Sequence, residues 1–242
     1  VLEDRFQLDG LRGMSNEFVG ASVTSGIEGG GFLYTNKESV SIGLVLSIKD
    51  MREKLKKSGK SIYDVLNDFK AHPIIKDMIK GGEVVEYSAH VVSMGDKRVM
   101  PKELYADGVL IAGEAANLLM NSGKAIQGMD YAMHSGILAA ETVIEAKEKG
   151  DFSASSMKNY RTKLENSYVM KDMNNLQGAV HLLHDKTLMN DVPNLVCDFA
   201  KDFFTIKNEP MQPTRKIFGK AVAKHSSWLD LIKIGIKGAK AL

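Results

Sequence analysis

The chain has 242 residues, which is long enough to bury a substantial core as one large domain or two smaller ones. Its formal net charge is +2 and 26% of its residues are charged, so the composition gives no reason to expect a nucleic-acid partner. Cys197 is the only cysteine, which excludes a disulfide framework and a four-cysteine iron–sulfur cluster built from this chain.

The single cysteine also fits a reducing, cytoplasmic compartment. No apolar run reaches the roughly 18 to 20 residues that a membrane-spanning helix needs, and no signal-peptide pattern is present. The sequence begins at Val1, directly in a charged run, so we expect a segment of a longer protein. Residues 1–26 show little periodicity and predict loops, with one helix near Glu3 to Gln7.

Two β-branched and aromatic runs predict an antiparallel hairpin. They cover residues 31–35 and 39–48, with a short polar connection over 36–38. Alternation in the second run, with Val45 as its exception, predicts a strand with one buried face. Gly29 and Gly30 come just before the first strand, and a β-bulge or tight turn is sufficient to explain them.

The next stretch predicts helices and then a strand. Residues 50–80 have helical periodicity, with a capping box at Ser61 and a break at His72-Pro73. Residues 83–92 are rich in β-branched and aromatic residues and predict a strand. Asp107-Gly108 predicts a turn.

Residues 108–145 have the order strand, glycine, acid, loop and helix. The run from Val109 to Ala112 predicts a buried strand, Gly113-Glu114 follows, and a helical pattern starts at about Gln127. A carboxylate in this position can accept hydrogen bonds from polyol hydroxyls, and the start of the helix offers unpaired amides. On spacing alone, a ligand site and an ordinary strand-to-helix turn with a capping acid are equally good interpretations.

The sequence from Ala112 to Ala116 resembles the second FAD-contacting motif of flavoproteins with the glutathione-reductase-type fold, in which the acid is usually Asp. The segment from Gln127 to Glu141 resembles the electron-transfer-flavoprotein:quinone oxidoreductase family, including its FixC-type members. This resemblance implies that Gly113 and Glu114 contact FAD, with Glu114 on the ribityl chain. It also implies that the amides of Gly128 and Met129 face the flavin ring.

The same resemblance implies that Gly29 and Gly30 lie beside a quinone head group. The family normally begins with a G-x-G-x-x-G unit that binds the FAD pyrophosphate, and this sequence contains none. We therefore expect the chain to be the C-terminal half or so of a longer flavoprotein. Whether the isolated chain binds FAD or is active is left open.

The predicted fold class is α+β, as a fragment of an α/β flavoprotein. Residues 1–105 are predicted to form an antiparallel-sheet, quinone-type substrate domain, and residues 106–150 the closing strand and helix of the FAD-binding domain. Residues 151–242 are predicted to be a mostly helical C-terminal region, with a loop over residues 187–193 and a stripe that runs from Met157 to Tyr168. Its last part, residues 214–242, is basic and partly amphipathic, which admits a solvated helix pair, a docking face or peripheral membrane contact.

Other candidate sites are weak. His181 and His184 have the spacing of ligands on one helix face, but no nearby acid or cysteine completes a metal set, and none is predicted. Cys197 has no basic neighbour that would favour a thiolate. No side chain is assigned as catalytic.

The resemblance implies an FAD-dependent oxidoreductase that passes electrons from an electron-transfer flavoprotein to a quinone or a ferredoxin-like acceptor. Two alternatives stay open. One is a flavoprotein similar to geranylgeranyl reductases, which acts on an isoprenoid lipid. The other is a non-catalytic interaction module, because the dinucleotide-binding motif is absent.

Overall fold

The computed structural model describes residue 6 and residues 12–20, 23–122, 126–182 and 184–241. It is a mixture of helices and small antiparallel sheets, which confirms the predicted α+β class. The chain forms two compact units, Val1–Ala89 with Lys186–Leu231 and His90–Asp185 with Ile232–Leu242. The three-domain division stays a prediction, and the helix near Glu3 lies almost entirely outside the described residues.

A three-stranded antiparallel sheet opens the first unit. It has the order β1 (Ser15–Val19), β2 (Gly29–Thr35) and β3 (Val40–Leu46), which confirms the predicted hairpin. Asn36 closes the connection, because its amide donates to the carbonyl oxygen of Ser39 over 2.8 Å. The sequence did not predict β1, because most of that strand is polar.

The sheet is covered on one face by a helix. Phe69 lies edge-on to Phe18 on β1, with ring centroids 5.5 Å apart, and a β-carbon on Gly31 would lie 2.6 Å from the ring of Phe69. Leu33 on the central strand is fully buried. The predicted buried face of β3 is wrong, since every residue of that strand is half-buried. The reason is its place at the edge of the sheet, where neighbours cover it on one side only.

Three helices follow the sheet, α1 (Ile48–Ser58), α2 (Ile62–Ala71) and α3 (Pro73–Ile79). The predicted capping box is present, because Ser61 and the side chain of Asp64 each accept from the other's backbone amide. The β3 strand ends before its predicted limit because Ser47 caps α1.

Residues 83–92 adopt no regular secondary structure. The prediction of a strand here is therefore wrong for the described chain, because no described strand pairs with this segment.

The second unit contains two short hairpins. They are β4 (Tyr105–Ala106) with β5 (Val109–Leu110), and β6 (Met120–Asn121) with β7 (Ile126–Gln127). The turn at Gly108 is confirmed by its left-handed φ of 68°. The predicted buried strand from Val109 to Ala112 is wrong in length and burial, because only two residues pair and the Val109 side chain is 52% exposed. Among the described residues, β4 is the only strand that pairs with it.

Four helices follow these hairpins in the second unit, α4 (Met129–Lys149), α5 (Ala154–Asn166), α6 (Tyr168–Asn175) and α7 (Ala179–Leu182). Their core includes the fully buried Tyr131, Tyr160 and Leu164. The predicted stripe that starts at Met157 is confirmed on α5 as far as Leu164. It is wrong at Tyr168, which begins α6 and is partly exposed.

The C-terminal region is helical, as predicted. A π-helix (Thr187–Asp191) leads into α8 (Val192–Phe204), followed by α9 (Thr214–His225) and α10 (Trp228–Ala241). The loop predicted over residues 187–193 is wrong, because Pro193 lies in the first turn of α8, where a missing amide costs nothing.

Asp198 joins α8 to α9 through two cationic partners. Its carboxylate accepts from the ammonium of Lys224 and lies 2.7 Å from Nε2 of His225. The hydrogen bond from Lys224, followed by that from His225, lowers the pKa of Asp198 to about 2.

This lowered pKa predicts a loss of stability in acid. A carboxyl whose pKa falls on folding stabilises the fold above its unfolded pKa of about 3.9, and that stability disappears as the pH falls through about 2. We expect Asp198→Asn to remove this part of the pH dependence between about pH 4 and pH 2. Urea denaturation across that range measures it, and an unchanged pH profile would contradict the ion pairs.

Candidate functional site

The predicted FAD contacts begin at the Gly113 turn, which follows β5. Gly113 is buried and starts a short 3₁₀ segment, Gly113–Ala116, with a left-handed φ of 59°. Its amide donates to Oγ of Ser135 over 3.0 Å, and a β-carbon there would lie 3.2 Å from that of Ala132. Glycine is therefore needed because the turn lies directly against α4.

Glu114 projects from this turn. Its side chain is exposed and makes no hydrogen bond or ion pair with any residue that the structure describes. Its carbonyl oxygen accepts from the amide of Asn117 over 2.8 Å, and Asn117 ends the turn in a left-handed conformation with φ of 54°. Asn117 also donates through Nδ2 to the carbonyl oxygen of Asp96 over 2.9 Å. The turn is fixed at both ends, while its carboxylate stays open to a ligand.

The α4 helix supplies the second half of the predicted contact. Gly128 is its N-cap residue, and glycine has no side chain with which to cap the first amides. The amide of Ala132 donates to the carbonyl oxygen of Gly128 over 2.8 Å, so the helix is well formed from its first turn. Met129 is 75% exposed. Uncapped amides at a helix start bind anionic or electron-rich groups.

Buried polar contacts hold the start of α4 in place. The Tyr131 hydroxyl donates to Oδ2 of Asp172 on α6 over 3.2 Å, and burial, followed by the negative charge of Asp172, raises the pKa of Tyr131. The tyrosine therefore stays a neutral hydrogen-bond donor. Sequence reasoning missed Tyr131, Asp172 and Ser135, although the small polar Ser135 on an apolar helix stripe was a usable signal.

Gly29 and Gly30 lie on strand β2 of the first unit. The predicted FAD contacts belong to other elements, much later in the sequence. A β-carbon on Gly29 would collide with the carbonyl oxygen of Val45, and its φ is 151°. A β-carbon on Gly30 would lie 2.6 Å from the carbonyl oxygen of Phe18. Both glycines are thus required by the close approach of neighbouring strands, and their predicted quinone contact stays a prediction.

The weaker candidates from the sequence include His181 and Cys197. Nε2 of His181 lies 3.1 Å from a guanidinium nitrogen of Arg98, and Cys197 is exposed. Within the described ranges, no three His, Cys, Asp or Glu side chains are grouped so that they could hold a metal ion. None of the described helices combines the length and apolar character that crossing a membrane requires.

Comparisons with known proteins match both ends of the chain. Residues 9–92 match the sequence model of the ubiquinone-binding domain of ETF-QO, the electron-transfer-flavoprotein:quinone oxidoreductase. Residues 179–242 match the model of the ETF-QO/FixC family C-terminal domain.

Relatives match over the whole chain. The "Probable electron transfer flavoprotein-quinone oxidoreductase YdiS" of Escherichia coli K12 is 43% identical over 241 residues, which are 100% of this chain and 54% of the relative. "Protein FixC" of Salmonella typhimurium is 41% identical over 242 residues, with 100% and 55% covered. "Protein FixC" of Azorhizobium caulinodans is 33% identical over 244 residues, with 100% and 54% covered.

The chain belongs to the ETF-QO/FixC family, as its Gly113–Glu114 turn and the α4 segment indicated. It spans about half the length of the curated relatives that it matches.

Proposed function

We propose that this chain forms part of an FAD-dependent oxidoreductase that passes electrons from an electron-transfer flavoprotein to a quinone or a ferredoxin-like acceptor. Family membership and the name of the relative YdiS support this reaction class. The proposal depends mainly on one structural observation. The Gly113 turn packs against the first two turns of α4, so an open carboxylate and an uncapped helix start belong to one rigid arrangement.

FAD, when bound, would carry the electrons between donor and acceptor. The chain's own residues would bind and orient it. Glu114 would accept hydrogen bonds from ribityl hydroxyls. The amides of Gly128 and Met129 would donate to the electron-rich edge of the ring and stabilise negative charge there.

The sheet of the first unit is the proposed quinone side. Gly30 shares a sheet face with Phe32, whose ring stacks on Tyr34 with centroids 4.9 Å apart. A flat aromatic head group can lie against such a face where glycine leaves the backbone uncovered. A four-cysteine iron–sulfur cluster cannot be built from this chain alone, whose one cysteine is Cys197.

Flavin uptake tests this proposal. The chain is expressed alone and together with the part of E. coli YdiS that lies outside the matched region, because the pyrophosphate-binding motif has to come from elsewhere. We expect yellow, FAD-containing protein from the pair. Protein that stays colourless in saturating FAD, although the two polypeptides associate, would overturn the assignment.

Peripheral membrane contact through residues 214–242 is part of the proposal. Helix α10 leaves four apolar side chains exposed, Trp228, Leu229, Ile232 and Ile236, next to basic residues. We expect Ile232→Glu with Ile236→Glu to abolish co-sedimentation with vesicles that contain phosphatidylglycerol. The matched change of both residues to leucine should preserve it, and equal sedimentation of the two variants would contradict membrane contact.

A further inference from the structure

Residues 83–91 lie outside regular secondary structure, and all of them are exposed. Three of its apolar side chains show the extent of this exposure, since Val85 is 85%, Tyr87 64% and Val91 74% exposed. Large apolar side chains in a continuous, fully solvated stretch are unusual in a folded protein and mark a surface that another polypeptide covers.

The sequence of this segment is that of a half-buried strand. Val85, Tyr87, Ala89 and Val91 alternate with Glu86, Ser88 and His90, so an extended chain places the apolar set on one face and the polar set on the other. This period of two is typical of a strand that rests on a hydrophobic layer. Nothing in the described chain supplies that layer for residues 83–91.

The backbone of the segment is also unpaired. None of residues 83–92 makes a backbone hydrogen bond with any described residue. A row of free amides and carbonyls beside β-branched side chains is a template for strand addition. Both the main chain and one face of side chains therefore lack their neighbours.

The lengths of the relatives indicate where the neighbour comes from. YdiS matches all of this chain, yet a little under half of YdiS lies outside the matched region. The helix α4 independently exposes a second apolar stripe, Met129, Met133, Ile137 and Ile144, on the side opposite its buried residues. Each of these uncovered surfaces indicates a covering polypeptide, and the unmatched part of YdiS, at a little under half of that protein, is large enough to supply one.

We propose that residues 84–91 are a sheet strand whose hydrogen-bonding neighbour is a β-strand from the polypeptide that corresponds to the unmatched part of YdiS. The apolar face of Val85, Tyr87 and Val91 packs against the hydrophobic layer beneath that sheet. This inference rests on the proposed function, in which the same polypeptide supplies the rest of the FAD site.

Amide hydrogen exchange tests the pairing. The exchange of residues 84–91 is measured in the full chain alone and after mixing with the unmatched part of YdiS. In the chain alone we expect exchange close to that of an unstructured peptide, and in the mixture we expect at least ~100-fold slowing. Fast exchange in an FAD-binding mixture would overturn the strand while leaving the proposed function intact. Slow exchange in a mixture that takes up no FAD would confirm the strand and contradict the function.

Matched variants separate the strand face from general disruption. Val85→Lys with Tyr87→Lys places two charges on the apolar face, and Ser88→Lys with His90→Lys places two on the polar face. Because these side chains are all exposed, neither pair should change the stability of the chain alone. We expect only the first pair to weaken association, by at least ~10-fold. Equal effects of the two pairs, or slow exchange that depends on the concentration of the chain alone and so reveals a second copy as neighbour, would overturn the proposal.

Discussion

Replacing Gly29 by alanine should destabilise the first unit by roughly 2–5 kcal/mol, the sum of an overpacking cost and a disfavoured backbone conformation. The new β-carbon would collide with the carbonyl oxygen of Val45, which belongs to the backbone of β3 and cannot rotate away. The φ of 151° is, in addition, one that residues with a side chain rarely adopt. Urea denaturation measures the loss of unfolding free energy.

Gly59→Ala is the matched control. Gly59 ends α1 with a φ of 70°, and a β-carbon there would have no heavy atom within 4 Å. This variant should therefore lose only the unfolding free energy that the disfavoured backbone conformation costs, about 1–2 kcal/mol. Equal losses in the two variants would contradict the close approach of β2 and β3. Since the loss at Gly29 needs no quinone, reduced activity of a Gly29 variant would not by itself show a quinone contact.

Glu114→Ala should weaken FAD binding by the assembled protein about 10- to 150-fold, because hydrogen bonds to a charged group contribute about 1.5–3 kcal/mol. Stability without FAD should change by less than about 0.5 kcal/mol, because the side chain is exposed and contacts no described group. Titration of the apoprotein with FAD, followed by flavin fluorescence, measures the affinity.

Glu148→Ala controls for the loss of one negative charge. Glu148 lies in the last turn of α4, at the end of the helix opposite Gly128, and is also exposed. FAD affinity should stay within about twofold of the original in this variant. An equal loss of affinity in both variants would mean that net charge, and not a contact by Glu114, determines binding.

The local arrangement of the candidate site was predictable from sequence, while its FAD contacts stay a prediction. Gly113, Glu114, Gly128 and the start of α4 could be predicted because a strand end, an acid and a helix start follow one another along the chain. Ser135 and Asp172 could not be placed, since their partners Gly113 and Tyr131 lie 22 and 41 residues away. Contacts over such distances depend on packing that no short pattern encodes.

Strand predictions failed where pairing, and not propensity, decides the structure. Residues 83–92 and the run after Gly108 have the composition of buried strands, yet in the described chain the first is unpaired and the second pairs over two residues. The composition of a segment indicates its propensity to form a strand. Its backbone amides and carbonyls, however, form hydrogen bonds only where a neighbouring strand is present. The β1 strand shows the converse, because β2 holds the largely polar run from Ser15 to Val19 in the sheet.

A crystal structure of the chain assembled with the unmatched part of YdiS and loaded with FAD tests the central claim most directly. We predict that the Glu114 carboxylate lies within about 3.2 Å of a ribityl hydroxyl and that the amide nitrogen of Gly128 or Met129 lies within about 3.2 Å of a ring oxygen or nitrogen. Flavin bound elsewhere, with all three groups beyond hydrogen-bonding distance, would contradict it.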